Sequence, residues 1–266
     1  MKAEAGANES VAVLACREAG RPDGEPLVLL HGFGGSGHSF DPLLDGLADR
    51  RVILPDLPGQ GRSFDVSGSR NPKAAAEAVL ATLDAIDCPD FHLGGFSMGG
   101  AVACLVALKA PERVKSLTLL APGGFGSEIA ATTLRAFGAA QCEATIRAAL
   151  SLMVAPGTEP PAKDVAALAS ERQNDALVRE LTAIADMITR DGRQGEIPRA
   201  VLAGIACPVR VLWGTADPVL PVSQSHDLPP QFRLRLVEGA GHMLVREATR
   251  AVLETLAAAT ADTLPR

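Results

Sequence analysis

Three features of the chain predict an α/β fold, a mostly parallel, doubly wound sheet interrupted by one helical insertion. Short, strand-like runs such as Leu27 to Leu30, which is continuously apolar and suits a strand buried on both faces, and Val114 to Leu120 recur along the chain. Such runs alternate with helical patterns along the chain, the arrangement that builds a parallel sheet. The alternation lapses between Ala121 and about Arg199, where helical patterns follow one another around Pro156, Pro160 and Pro161. The expected division is a core of residues 1–121 and 200–266, with residues 122–199 forming a helical lid after the sixth strand.

Composition sets the class of partner. With 266 residues and 47% hydrophobic content the chain buries a large core, within the range of one α/β domain. A net charge of -6 and the lack of any basic run argue against nucleic acid or an anionic membrane surface, which leaves a small molecule. Met1 to Ser10 is polar and Ala-rich, unlike a signal peptide, and no apolar run approaches the ~20 residues that span a bilayer. A cytoplasmic location is expected, and the oligomeric state is open. Cys16, Cys88, Cys104, Cys142 and Cys207 are odd in number and lack C-x-x-C spacing, which favours reduced thiols, mostly packed in the core. No clustered His, Cys and carboxylate suggests a metal, and no cofactor is expected.

Taken in order, Val11 to Arg17 reads as a first strand and Arg21-Pro22-Asp23-Gly24 as a turn. The strand Leu27 to Leu30 runs into His31-Gly32-Phe33-Gly34-Gly35-Ser36-Gly37, too Gly-rich for helix or strand. One use of this loop is a dinucleotide fingerprint, since Gly32 to Gly37 has the G-x-G-x-x-G spacing and Asp56 follows the strand Val52 to Leu54. The favoured use is to present the Phe33 backbone N–H as an oxyanion donor, with His31 a structural residue beneath the loop. A helix over Asp41 to Arg50, a strand over Arg51 to Pro55 and an exposed loop from Asp56 to Ser63 follow, in which Asp56 is expected to fix the loop. Asn71 then caps a helix that opens on Pro72 and runs through Ala85.

Around the next stretch, Phe91 to Leu108, the chain is organised. An apolar strand ends in Gly95-Phe96-Ser97-Met98-Gly99, a G-x-S-x-G pattern, and passes at once into a run of helix formers. Such a turn pushes the Ser97 hydroxyl out at the carboxyl end of the sheet and leaves the Met98 N–H free as a second oxyanion donor. A Gly-rich turn with Ser97 as a plain helix cap is the other reading of this pattern.

Two later positions bear on that choice. The strand Cys207 to Gly214 ends in Asp217, and the strand Phe232 to Val237 gives way to Gly239-Ala240-Gly241-His242 before a last amphipathic helix from about Arg246 to Ala258. A serine hydroxyl needs a general base, and that base needs a carboxylate on its other ring nitrogen, which casts Ser97, His242 and Asp217 in those roles. Each falls just past the carboxyl end of an expected strand. Singly, Asp217 also suits an Asx turn and His242 a loop histidine; Glu128 is the next candidate for the acid. His92 is expected to be buried and neutral, His226 exposed. Ile129, Leu134, Phe137, Ile146, Leu150, Met153, Leu181 and Ile184 are candidate pocket walls, about half of which must instead pack lid helices together.

The succession HGFGG, DLPGQGRS, GFSMGG, WGTADPV and GAGH resembles the α/β-hydrolase superfamily over nearly the whole length. Within it, Ala121 to Ile129 and Arg190 to Gln194 are similar to the carboxyl-terminal hydrolase-like domain of acetoin dehydrogenase dihydrolipoyl acetyltransferase subunits, and GFSMGG to the elbow of meta-cleavage product hydrolases. The resemblance implies an α/β-hydrolase fold and a serine hydrolase that cleaves an ester, thioester or activated carbon–carbon bond of a small, largely apolar acyl substrate. The acetyltransferase subunits carry a lipoyl domain in front, and with so few residues before the first strand a complete swinging-arm subunit is not expected. An acyltransferase, or a binding module without turnover, is the alternative function.

Overall fold

The computed structural model describes residues 12–66 and 71–263, so the amino-terminal residues through Val11 lie outside the described residues. Seven strands form one sheet in the order β1-β3-β2-β4-β5-β6-β7: β1 (Cys16–Gly20), β2 (Pro26–Leu30), β3 (Arg51–Pro55), β4 (Phe91–Phe96), β5 (Val114–Leu120), β6 (Val209–Gly214) and β7 (Phe232–Val237). Among the described residues only β1 runs antiparallel in this sheet, against β3. The side chains of β2, β3 and β4 are almost wholly buried, as strands covered on both faces require. From β3 the chain returns past β2 to β4 and then winds outward, so the direction of winding reverses beside β2 and β4 and opens a crevice at their carboxyl ends.

Two helical layers cover the sheet. Helices α1 (Pro72–Ala85) and α2 (Met98–Lys109) pack together, and α2 lies on β2, β4 and β5. Asn71 caps α1 by accepting from the N–H groups of Lys73 and Ala74, and Pro72 fills the first turn. The carboxyl-terminal helices contact β5, β6 and a 3₁₀ helix (Gly37–Leu47). That 3₁₀ helix stands where an α-helix over Asp41 to Arg50 was expected; Pro42 inside it supplies no N–H for an α-helical ladder.

Between β5 and β6 the chain builds a helical insertion of α3 (Ala131–Ala139), α4 (Glu143–Ser151), α5 (Ala162–Glu171), α6 (Asp175–Ile188) and the short α7 (Arg199–Leu202). Among the described residues it follows the fifth strand and not the sixth, because a single edge strand, β1, precedes β2 there. Two more departures are local. The first strand starts at Cys16, five residues later than Val11, where pairing with β3 begins. The last helix is broken into α8 (Leu244–Glu247) and α9 (Thr249–Ala261) by the non-helical backbone of Ala248. Cys88 and Cys104 are buried, Cys16 and Cys207 half-buried and Cys142 exposed, all as free thiols. Among the described residues no helix is long and apolar enough to cross a membrane, and no group of three His, Cys, Asp or Glu could hold a metal ion.

Candidate active site

Ser97 sits between β4 and α2 with φ 52 and ψ -120, a conformation that costs a non-Gly residue about 1–3 kcal/mol and is kept only where the surroundings impose it. Here they do. The Ser97 N–H donates to the Leu120 carbonyl at 2.9 Å, and the Ser97 carbonyl accepts from Gly100, Ala101 and Gly123. The flanking glycines are required by close approach: a Cβ on Gly95 would lie 2.4 Å from the Gly99 carbonyl oxygen, and one on Gly99 would lie 2.2 Å from that of Leu30. Although Ser97 occupies the cap position of α2, its side chain makes no capping bond. Its hydroxyl lies instead 3.0 Å from His242 Nε2.

His242 is held from three sides. Its Nδ1 is 2.8 Å from Asp217 Oδ2, its ring packs on Phe96 at 5.0 Å between centroids, and its N–H donates to the Met153 carbonyl of the insertion at 3.0 Å. The loop around it is gathered by Glu247, whose carboxylate accepts from the N–H groups of Gly241, Met243 and Ala155. Asp217 is an Asx-turn residue and a histidine partner at once: Oδ1 accepts from Val219 and Leu220 N–H at 2.8 and 2.9 Å, while Oδ2 faces the imidazole. Trp213 at the end of β6 ties this loop down through Nε1 to the Leu220 carbonyl. With the carboxylate accepting at Nδ1, the proton resides there, and Nε2 is left to accept from Ser97.

The Gly-rich loop after β2 lies across the same space. His31 is fully buried beneath it; Nδ1 donates to the Gly32 carbonyl at 2.8 Å and Nε2 accepts from Leu57 N–H at 2.9 Å. Burial holds its pKa below the ordinary imidazole value, against smaller raising effects of the Gly32 carbonyl and the Asp56 charge. The Gly32 carbonyl belongs to the same planar peptide as Phe33 N–H, so His31 fixes that N–H in the opposite direction. Among the described residues the Phe33 and Met98 N–H groups have no acceptor. Asp56 does not resemble a ribose ligand, because its oxygens accept from Gly37 and Arg62 N–H within its own loops.

Ser97, His242, Phe33 and Phe96 border a cavity of about 400 Å³. Of the eight proposed walls, Leu134, Phe137, Leu150 and Met153 line it, while Ile146, Leu181 and Ile184 are buried in the common core and Ile129 packs against it. His92 is buried between Ser116 and Glu25, with burial lowering its pKa, and His226 and Glu128 are exposed, away from the cavity.

Sequence reasoning missed Arg172. This residue, 1% exposed, donates to the carbonyls of Phe137 and Ala140 in the insertion and to Gly34 of the Gly-rich loop at 3.4 Å, and stacks over the Phe137 ring. Burial pulls its pKa down to about 10. No spacing rule could have found it, since its partner Gly34 is 138 residues away.

Fold and site together define a doubly wound α/β protein with a serine on a strained strand-to-helix turn that borders a cavity. The chain belongs to the alpha/beta hydrolase family, whose model matches residues 27–255. It is 35% identical over 244 residues to the dihydrolipoyllysine-residue acetyltransferase component of the acetoin cleaving system of Pseudomonas putida, across 91% of this chain and 65% of that protein. Lipase 3 of Moraxella sp. (strain TA144) is 29% identical over 240 residues, 85% of this chain and 74% of the lipase. Among solved structures, 2-hydroxy-6-oxo-6-phenylhexa-2,4-dienoate hydrolase from Rhodococcus sp. strain RHA1 shares the fold, with a TM-score of 0.78 at 24% identity over 91% of this chain and 92% of that one. The chain spans 65% and 59% of the length of the two acetoin-system relatives.

Proposed function

We propose that the chain is a serine hydrolase acting on an ester, thioester or activated carbon–carbon bond of a small, largely apolar acyl substrate. The observation that carries this reading is the linked pair of contacts, 3.0 Å from Ser97 Oγ to His242 Nε2 and 2.8 Å from His242 Nδ1 to Asp217 Oδ2, with Ser97 and His242 bordering the cavity. For an ester, Ser97 Oγ attacks the acyl carbon as its proton passes to His242 Nε2, and the carbonyl oxygen takes up negative charge facing the Phe33 and Met98 N–H groups. The acyl–oxygen bond of the substrate breaks, the leaving alcohol takes the proton from His242, and an ester to Ser97 remains. Water then attacks that ester, gives its proton to His242 and releases the acid as Ser97 recovers its own. Asp217 keeps the tautomer correct and stabilises the imidazolium throughout. No cofactor enters these steps, and residues 122–199 serve as the lid that walls the acyl site.

The test is a fluorophosphonate probe on purified protein. One serine should be labelled, and Ser97→Ala should abolish the labelling while leaving thermal stability near wild type. Labelling that persists in Ser97→Ala overturns the reading. The similarity to an acetyltransferase component favours one alternative, transfer of the acyl group from Ser97 to a thiol or alcohol. Product partitioning that rises with acceptor concentration distinguishes it from hydrolysis.

A further inference from the structure

The charges around the cavity narrow its substrate, an inference that rests on the serine hydrolase reading. Besides apolar walls, the cavity is lined by His38, Asp41, Glu159, Asp164, Glu171, Arg246 and Glu247. The one guanidinium among these, Arg246, is engaged by Asp164 through two contacts of 2.7 Å. Glu247 is occupied by three backbone N–H groups, Asp41 by Arg17 and His38, and Glu159 is exposed. Glu159 also lacks a hydrogen-bond or ion-pair partner among the described residues, and Glu171 differs from it in being half-buried. Glu171 closes the last turn of α5, and among the described residues has neither a hydrogen-bond nor an ion-pair partner. Burial raises its pKa in spite of His38 and Arg172 nearby. The neighbouring Arg172 offers the cavity nothing, because its guanidinium is buried and turned to the main-chain carbonyls of Phe137, Ala140 and Gly34.

The site therefore holds one half-buried unpaired carboxylate, Glu171, and one exposed, Glu159, and, among the described residues, no unpaired guanidinium or ammonium. We propose that Glu171 is a specificity-determining residue that makes the cavity accept neutral or cationic acyl groups and reject those carrying a carboxylate. Two like charges about 5 Å apart in surroundings of intermediate dielectric repel strongly enough to shift an equilibrium at least about a hundredfold. A carboxylate entering this cavity also leaves water without a compensating cation. The Rhodococcus hydrolase of the same fold acts, by its name, on a dienoate, an acid anion. Such a substrate is the kind that Glu171 excludes, which leaves neutral esters and thioesters, and acyl chains ending in an ammonium group.

Three p-nitrophenyl esters of similar size test this: pentanoate, the glutarate half-ester, and 4-(trimethylammonio)butanoate. The first and third should be hydrolysed, and kcat/KM for the half-ester should fall at least about a hundredfold below pentanoate. Glu171→Gln, with Glu171→Ala as a second variant, should shrink the pentanoate-to-half-ester ratio by about tenfold or more, because a ratio cancels any general loss of activity. Neither replacement removes a partnered group, so both are expected to fold. A half-ester within tenfold of pentanoate in the wild type, or a ratio unchanged in both variants, overturns the proposal. If no ester is turned over and Ser97 is not labelled by fluorophosphonate, the hydrolase reading falls first and this one with it.

Discussion

Replacing Asp217 by Asn separates the chemistry from the fold. In the native protein Oδ1 accepts from Val219 and Leu220 N–H, while Oδ2 accepts from His242 Nδ1. An asparagine must decide which way its amide points. Turning the NH₂ group towards the two backbone donors would leave both unsatisfied, at about 1–3 kcal/mol each. The oxygen therefore stays with Val219 and Leu220, and the NH₂ faces Nδ1. That nitrogen must then accept, so its proton moves to Nε2, where it blocks acceptance from Ser97. Restoring the active tautomer sets two N–H donors against each other, at about 3 kcal/mol, and the imidazolium formed during reaction lacks a charged partner worth about 2 kcal/mol. About 5 kcal/mol at 1.36 kcal/mol per decade corresponds to a loss of kcat between 10³- and 10⁴-fold. The same change in a serine protease triad costs about 10⁴. Stability should fall by only about 1 kcal/mol, a few degrees in Tm, because the two backbone bonds survive. Single-turnover hydrolysis of p-nitrophenyl pentanoate and a thermal melt on the same sample measure the two effects. More than about a tenth of wild-type turnover under rate-limiting chemistry refutes the assignment, and so does a rate loss matched by unfolding.

Gly99→Ala places a methyl group 2.2 Å from the Leu30 carbonyl oxygen and 2.4 Å from that of His31, both backbone, so α2 must move off β2; a loss of several kcal/mol or insoluble expression is expected, and a wild-type melting curve would count against the packing argument. His31 should titrate below the usual imidazole pKa of about 6.5, and while neutral should carry its proton on Nδ1, in ¹⁵N-detected imidazole spectra. Because its native pKa is lowered, the unfolded chain binds the extra proton first: stability from this group is complete above the ordinary value and is lost as pH falls from there towards the lower native value. Titration of His31 at the ordinary value would contradict its burial.

The strand–turn–helix around Ser97, the cap formed by Asn71 and Pro72, and the short buried strands were legible in the sequence because each is decided by neighbours in the chain. Glycines two residues either side of Ser97 state how closely β4 and α2 must approach, and apolar runs state which strands have two covered faces. The order Ser97, Asp217, His242 was legible for a related reason: in a parallel sheet every carboxyl end lies on one edge, so residues just past three strands fall near one another. What the local pattern could not carry was how the insertion folds back. Arg172 reaching Gly34, Glu171 left without a partner among the described residues, Asp164 engaging Arg246 and Met153 holding His242 all depend on contacts between segments far apart in the chain. In the insertion an amphipathic pattern states only that a helix has an apolar face, and half of the residues marked as walls went instead to packing. The sequence alone determined the framework and the strand ends that carry Ser97, Asp217 and His242, while tertiary packing decided which charges around the cavity are paired.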